Sequence, residues 1–134
     1  MTLIRWQSAF SVNVKEIDDQ HKHLVNLLNR LHDDLISNNN ADVGEVVNEL
    51  IDYTLIHFKT EEKYLKQHNY PNRRIHQEEH EAFAKKMLDF KKEFEAGKIG
   101  LSVELLDYLR DWLTDHIMGS DQSYAAFLME NRIN

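Results

Sequence analysis

The chain has 134 residues, enough for one domain whose core buries roughly two-thirds of the surface exposed by the unfolded form. Its 16 Lys and Arg against 23 Asp and Glu give a formal charge of -7, which opposes nucleic acid and anionic membranes, since both are bound through basic patches. With no cysteine, disulfides, iron–sulfur clusters, thiolate zinc sites and cysteine nucleophiles are excluded, and with 4 glycines and 1 proline there are too few turn formers for a many-stranded sandwich or barrel.

Long helices are the economical alternative. Met1 to Phe10 holds Arg5 and Gln7 among its apolar residues and has no run long enough for a signal peptide or a membrane span, so a cytoplasmic protein without membrane insertion is expected. Trp6, Phe10, Val12 and Val14 then come at even steps, the rhythm of an extended arm over residues 1–16 with one face pressed on the rest and covering one end of it. Breaks at Ser37 to Asn40, Asn69 to Asn72 and Gly97 to Gly100 divide the remainder of the chain into four segments, predicted as helices over about 17–37, 42–67, 72–96 and 101–131 of a single domain, 1–134.

Each segment carries a stripe at alternating steps of three and four. In the first it runs through Ile17, His21, Leu24, Leu28, Leu31 and Leu35, and in the second through Val43, Val47, Leu50, Thr54, His57, Glu61 and Tyr64. The third gives His76, His80, Phe83, Met87, Phe90 and Phe94, the last four read as core packing; the fourth gives Leu105, Leu109, Trp112 and His116. Short connections favour antiparallel neighbours, so the fold expected is all-α, an up-down-up-down four-helix bundle. In that topology the histidines of all four stripes meet at one end.

A lone histidine on an apolar stripe is ordinarily a satisfied core residue, but this set is larger. His57 and Glu61, and His76 and His80, are each spaced i to i+4, which puts both side chains of a pair on one helix face. With His21, His116 and Asp121 there are seven potential ligands, too many for one ion. His23, His32 and His68 fall off the stripes or beside a turn and are assigned to no metal. The step from His116 to Asp121 is five residues, which on a regular helix separates their directions by roughly 140°. Asp121, Tyr124 and Leu128 then resume the rhythm as though one residue had been inserted, so a π-bulge is expected between His116 and Asp121, with Gly119 easing the distortion.

Over nearly its whole length the chain resembles the hemerythrins, in particular their single-domain bacterial members. The resemblance rests on Asp19-Gln20-His21-Lys22, on His57-Phe58 with Glu61, on His76 and His80 after the Tyr70-Pro71 turn, and on Trp112-Leu113 leading to His116-Ile117 and Asp121. It implies two iron ions as cofactor, one held by His76, His80 and His116 and the other by His21 and His57, with Glu61, Asp121 and a solvent-derived oxygen bridging them. The first iron then has six ligands and the second five, leaving one position for dioxygen. The resemblance further implies an apolar oxygen pocket of Leu24, Phe58, Trp112, Leu113 and Ile117, and reversible oxygen binding by a carrier, store or delivery protein, with no catalytic residues. A monomer is expected, with an oxygen-consuming enzyme as a recipient for the oxygen. Oxygen or redox sensing is one rival, although nothing in the chain reads as an effector domain. A di-iron oxidase or ferroxidase is another, although the Glu-x-x-His motif of such bundles occurs nowhere in the sequence. Zinc on His76 and His80 alone would strand the remaining ligands.

Overall fold

The computed structural model describes residues 4–37, 40–97 and 103–130. Within them lie α1 (Lys15–Ser37), α2 (Asn40–Gln67), α3 (Arg73–Glu95), α4 (Val103–His116) and α5 (Gln122–Glu130), with a wide π turn at Ile117–Asp121 joining the last two into one rod. The rods form an all-α four-helix bundle in which α1 packs on α2 and α4, and α2 packs on α3. The expected breaks at 38–39 and 98–100, the helix residues 101–102 and 131, and arm residues 1–3 lie outside the described residues.

Local chemistry sets the element ends. Glu16 and Asp18 occupy the first turn of α1, where the helix dipole favours negative charge. Asp18 also accepts the Val12 N–H at 2.8 Å, so the helix starts at Lys15, two residues earlier than its apolar stripe. Helix α2 stops because Asn69 turns left-handed (φ 55°) and the Tyr70 N–H reaches back to the Leu65 carbonyl at 2.9 Å, after which Pro71 cannot continue a helix. At the end of α3 Gly97 takes the same left-handed role (φ 73°), one that a Cβ would strain.

The stripes face inward, and the buried histidine layer divides the apolar interior in two. The larger core gathers Leu24, Leu28, Leu31, Val47, Leu50, Phe83, Met87, Phe90, Leu109 and their neighbours. The smaller one closes the opposite side with Val12, Val14, Ile17, Leu65, Tyr70, Tyr124, Ala125 and Leu128. Val12 and Val14 come from the arm, so the arm does cover the end of the bundle where the histidines gather. Its path is not uniformly extended, because a 3-10 turn at Ser8–Phe10 interrupts it. Asn29 clamps the arm's beginning by exchanging two 2.8 Å hydrogen bonds with the Ile4 backbone, and Gln122 donates to the Ala9 and Ser11 carbonyls further on.

One buried group works against stability. Asp34, 6% exposed, has one carboxylate oxygen without a hydrogen-bond partner among the described residues. Burial first, and then Asp42 beside it, push its carboxyl up to about 6, while Arg30 holds Asp42 below its usual value. A carboxyl raised in the folded state favours folding most below its unfolded value, and that contribution is lost as pH rises through 6. Asp34→Asn is therefore expected to raise Tm at pH 7 by about 3 °C and to leave it unchanged near pH 4, as read by thermal unfolding at both pH values. An equal shift at both would assign the effect to packing.

Candidate metal centre

All seven side chains singled out by their positions converge. His21, His57, Glu61, His76, His80, His116 and Asp121 are each no more than 5% exposed and come from every rod of the bundle. Asp121 divides the histidines. Its Oδ1 lies 3.2 Å from Nε2 of both His76 and His116, and its Oδ2 lies 3.1 Å from Nε2 of His21. Glu61 sits across from it, with Oε1 at 2.8 Å from His57 Nε2 and 3.5 Å from His80 Nε2, and Oε2 at 3.7 Å from His76 Nε2. His80 and His116 present their Nε2 atoms to one another at 3.0 Å. Two groups of ligand atoms result, His76, His80 and His116 with Glu61, and His21 and His57 with the same Glu61.

This donor set fits metal ions. Neighbouring ligands on an octahedral ion with bonds of about 2.1 Å stand about 3.0 Å apart, close to most of the spacings above. His21 Nε2, His76 Nε2 and all four oxygens of Glu61 and Asp121 are buried without a hydrogen-bond partner among the described residues, and such groups are costly unless something else satisfies them. Only nitrogen and oxygen are offered, which suits iron and other borderline divalent ions.

Asp121 reaches the layer because the helix widens where the five-residue step required it. Between Ile117 and Asp121 the backbone takes π geometry, which brings residues five apart onto one face. Gly119 does not ease this turn as expected: its φ is unexceptional, and a Cβ there would meet nothing within 4 Å. Gly119→Ala should accordingly be tolerated, with stability raised by about 0.5 kcal/mol and metal content unchanged by elemental analysis; a loss of metal would restore a steric role for this glycine.

The outer histidine nitrogens have partners that the stripes did not mark. Gln20 Oε1 accepts from His57 Nδ1 at 2.7 Å, Glu62 Oε2 from His80 Nδ1 at 3.0 Å, and Glu79 Oε2 from His116 Nδ1 at 3.0 Å. His21 Nδ1 is buried and has none among the described residues. Each of the three partners adjoins a ligand in sequence, which was the available signal. Tyr124 was also missed as a member of the site; its ring lies 5.4 Å from that of His76, and burial, then Glu61 and Asp121, push its phenol well above 10.

Apolar and aromatic side chains wall the layer on its core side. Phe58 stacks on His80 at 3.8 Å, and Trp112 on His116 at 4.6 Å. Next to them a cavity of about 20 Å³ is lined by Leu24, Leu28, Leu50, Thr54, Phe58, Phe83, Leu109, Trp112 and Leu113. Four of the five expected pocket residues border this cavity. Ile117 is not among the lining residues, although it is buried in the same core cluster as Leu24, Phe58 and Leu113. His23 instead faces Glu49 at 3.5 Å and the Tyr53 ring, and neither it nor His32 or His68 joins a ligand group.

Charge in the layer is strongly coupled. Burial opposes every ionised form, yet Asp121 and Glu61 push His76 up to about 10 and also raise His21 and His116. At His57 burial prevails and the value falls. Despite burial, the surrounding imidazoles hold both carboxyls below their usual range. A metal must displace the proton on His76, so loading at pH 7 is expected to release at least one proton per chain. Affinity should then rise about tenfold per pH unit up to about pH 10, read by indicator dye and metal titration. Loading without proton release would remove His76 from the ligand set.

A helical bundle with buried histidines divided into two groups by shared carboxylates defines a metal-binding protein of the non-haem di-metal class. Residues 12–128 match the model of the hemerythrin HHE cation-binding domain, and the chain belongs to the hemerythrin family. It is 39% identical over 125 residues to a bacteriohemerythrin of Stenotrophomonas maltophilia, covering 93% of this chain and 81% of that protein. With the bacteriohemerythrin of Methylococcus capsulatus it shares 35% identity over 129 residues, 96% of this chain and 98% of the relative. A wild-type hemerythrin structure superposes with a TM-score of 0.89 at 34% identity, covering 92% of this chain and 96% of that one. A leucine-to-alanine hemerythrin variant gives 0.90 at the same identity. Family and cluster together support a di-iron protein of oxygen-binding type.

Proposed function

We propose that the chain binds dioxygen reversibly at two iron ions and serves as an oxygen carrier, store or delivery protein. The observation that carries this reading is the division of five imidazoles by two shared carboxylates beside a small apolar cavity. In it His76, His80 and His116 would hold one iron and His21 and His57 the other, with Glu61 and Asp121 shared between them. Iron held there would supply electrons that dioxygen can take up and return. The residues around it supply protection. Leu24, Phe58, Trp112 and Leu113 keep water and its protons away, and Ile117 backs them from the core.

The apolar cavity suits a small ligand: about 20 Å³ of space accommodates one molecule about the size of water or dioxygen. No helix among the described residues is long and apolar enough to cross a membrane. Carried outward, the reading is one domain over 1–134, a monomer of 15.9 kDa in the cytoplasm, passing oxygen to an oxygen-consuming enzyme, with size-exclusion mass as the check on its first half.

The deciding experiment reduces the iron-loaded protein without air, admits oxygen, and tracks a visible absorption band that should appear, vanish on oxygen removal, and return. A band that bleaches once, with turnover of an added substrate, would establish an oxidase instead. Leu113, 8% exposed, lines the cavity. Leu113→Asn should admit water and speed loss of the band about tenfold in air-equilibrated buffer, and an unchanged rate would show that this wall does not govern oxidation.

A further inference from the structure

The groups that orient three of the histidines form a relay from helix to helix. Gln20 on α1 adjoins His21 and serves His57 on α2; Glu62 on α2 adjoins Glu61 and serves His80 on α3. Glu79 on α3 adjoins His80 and serves His116 at the end of α4. Helix geometry produces this hand-on. Consecutive residues differ by roughly 100° around a helix, so when one side chain points to the bundle axis its neighbour points along the interface to the next helix.

Charge along the relay is uneven. Two carboxylates back the group that holds His76, His80 and His116. A neutral amide backs His57, and His21 Nδ1 has no partner among the described residues. An imidazole whose N–H is donated to a carboxylate becomes a stronger base at its other nitrogen, and that hydrogen bond is stronger than one to a neutral amide. Glu79 is also anchored from the wide turn, where the Ser120 hydroxyl donates to its Oε2 at 2.6 Å.

We propose that Glu62 and Glu79 are positioning residues that fix His80 and His116 with Nδ1 protonated and Nε2 facing the metal, and that their charge makes the three-histidine subsite the electron-rich half of the pair. Gln20 gives His57 the same orientation without the charge, so the two-histidine subsite remains the more electrophilic half. The inference rests on the di-iron reading and adds to it an electronic asymmetry built by this chain's own residues outside the ligand set.

The two carboxylates are not equivalent. Glu62 is 31% exposed at its side chain and shares its groove with Lys59, Lys63, Lys66 and Arg73, whose charges oppose its own. Glu79, 39% exposed, borders a cavity of Tyr70, Asn72, Ile75, His76, Ser120 and Ser123, with no lysine or arginine among them. Glu79 therefore has the larger effect.

The test uses the full chain loaded with iron, and reads iron per chain, iron affinity and midpoint potential. Glu79→Gln keeps an acceptor but removes the charge. It should retain two irons and shift the ferric–ferrous balance about tenfold toward ferrous, about 59 mV for a one-electron couple. Glu62→Gln should shift it less, and Gln20→Glu should shift it the other way. Glu79→Ala, which also removes the acceptor, should lower iron affinity 10- to 100-fold where Glu79→Gln does not, an order-of-magnitude range for groups behind metal-bound histidines. Two irons with an unmoved potential in Glu79→Gln would overturn the electronic role, and equal iron affinity in Glu79→Ala would overturn the positioning role. Fewer than two irons in the unsubstituted chain would instead sink the di-iron reading itself.

Discussion

Five imidazoles and two carboxylates removed from water in one layer are the constraint on which the bundle depends. An unpaired buried carboxylate costs several kcal/mol, and Glu61 and Asp121 are both fully buried. Neither has a hydrogen-bond partner among the described residues, and imidazole nitrogens stand closest to their oxygens. The layer can therefore be satisfied only as a unit, by protons shared among histidines or by metal ions that take their place. Its neighbours are arranged accordingly. Apolar clusters lie on both sides, and the arm, Val12 and Val14 above all, seals the side that would otherwise open to water at the bundle end.

The wide turn at Ile117–Asp121 serves two faces of the site at once. It returns Asp121 to the inward direction after His116, so the carboxylate oxygens can part the histidines between two groups. It also places Ser120 where its hydroxyl holds Glu79, which in turn holds His116. Through this one distortion a ligand, an anchor and an orienting carboxylate are set from within five residues. A regular helix through the same sequence would turn Asp121 roughly 140° away from His116 and break the layer at its last member.

The stripe pattern made the rods and the seven inward polar residues legible, because a histidine or carboxylate at a seam position contradicts the rule that such positions are apolar. The slip in phase after His116 marked the wide turn for the same reason. The residues that the pattern left unmarked have equally physical reasons. Gln20, Glu62 and Glu79 stand one residue off the seams, where polar side chains are ordinary, and their roles depend on which neighbouring helix they face. Offset from a ligand placed Ile117 in the pocket; it is buried in the same core cluster as the pocket residues without lining the cavity. Glycine at 119 looked like an accommodation to the bulge, although the space around it is open.

Two kinds of asymmetry then fall on the same axis. Three histidines face two, and in the group of three His80 and His116 reach partly exposed carboxylates with their outer nitrogens, while His57 meets an amide and His21 lies in a fully enclosed position. The aromatic stacking respects that division, with Phe58 flat on His80 and Trp112 flat on His116. Rings fixed by stacking on one face and by a charged acceptor at the edge have little freedom to rotate. His80 and His116 are thus the rings held both on a face and at an edge. If dioxygen binds reversibly as proposed, Glu62 and Glu79, which adjoin ligands but are not among them, confine adjustment to the other rings of the layer.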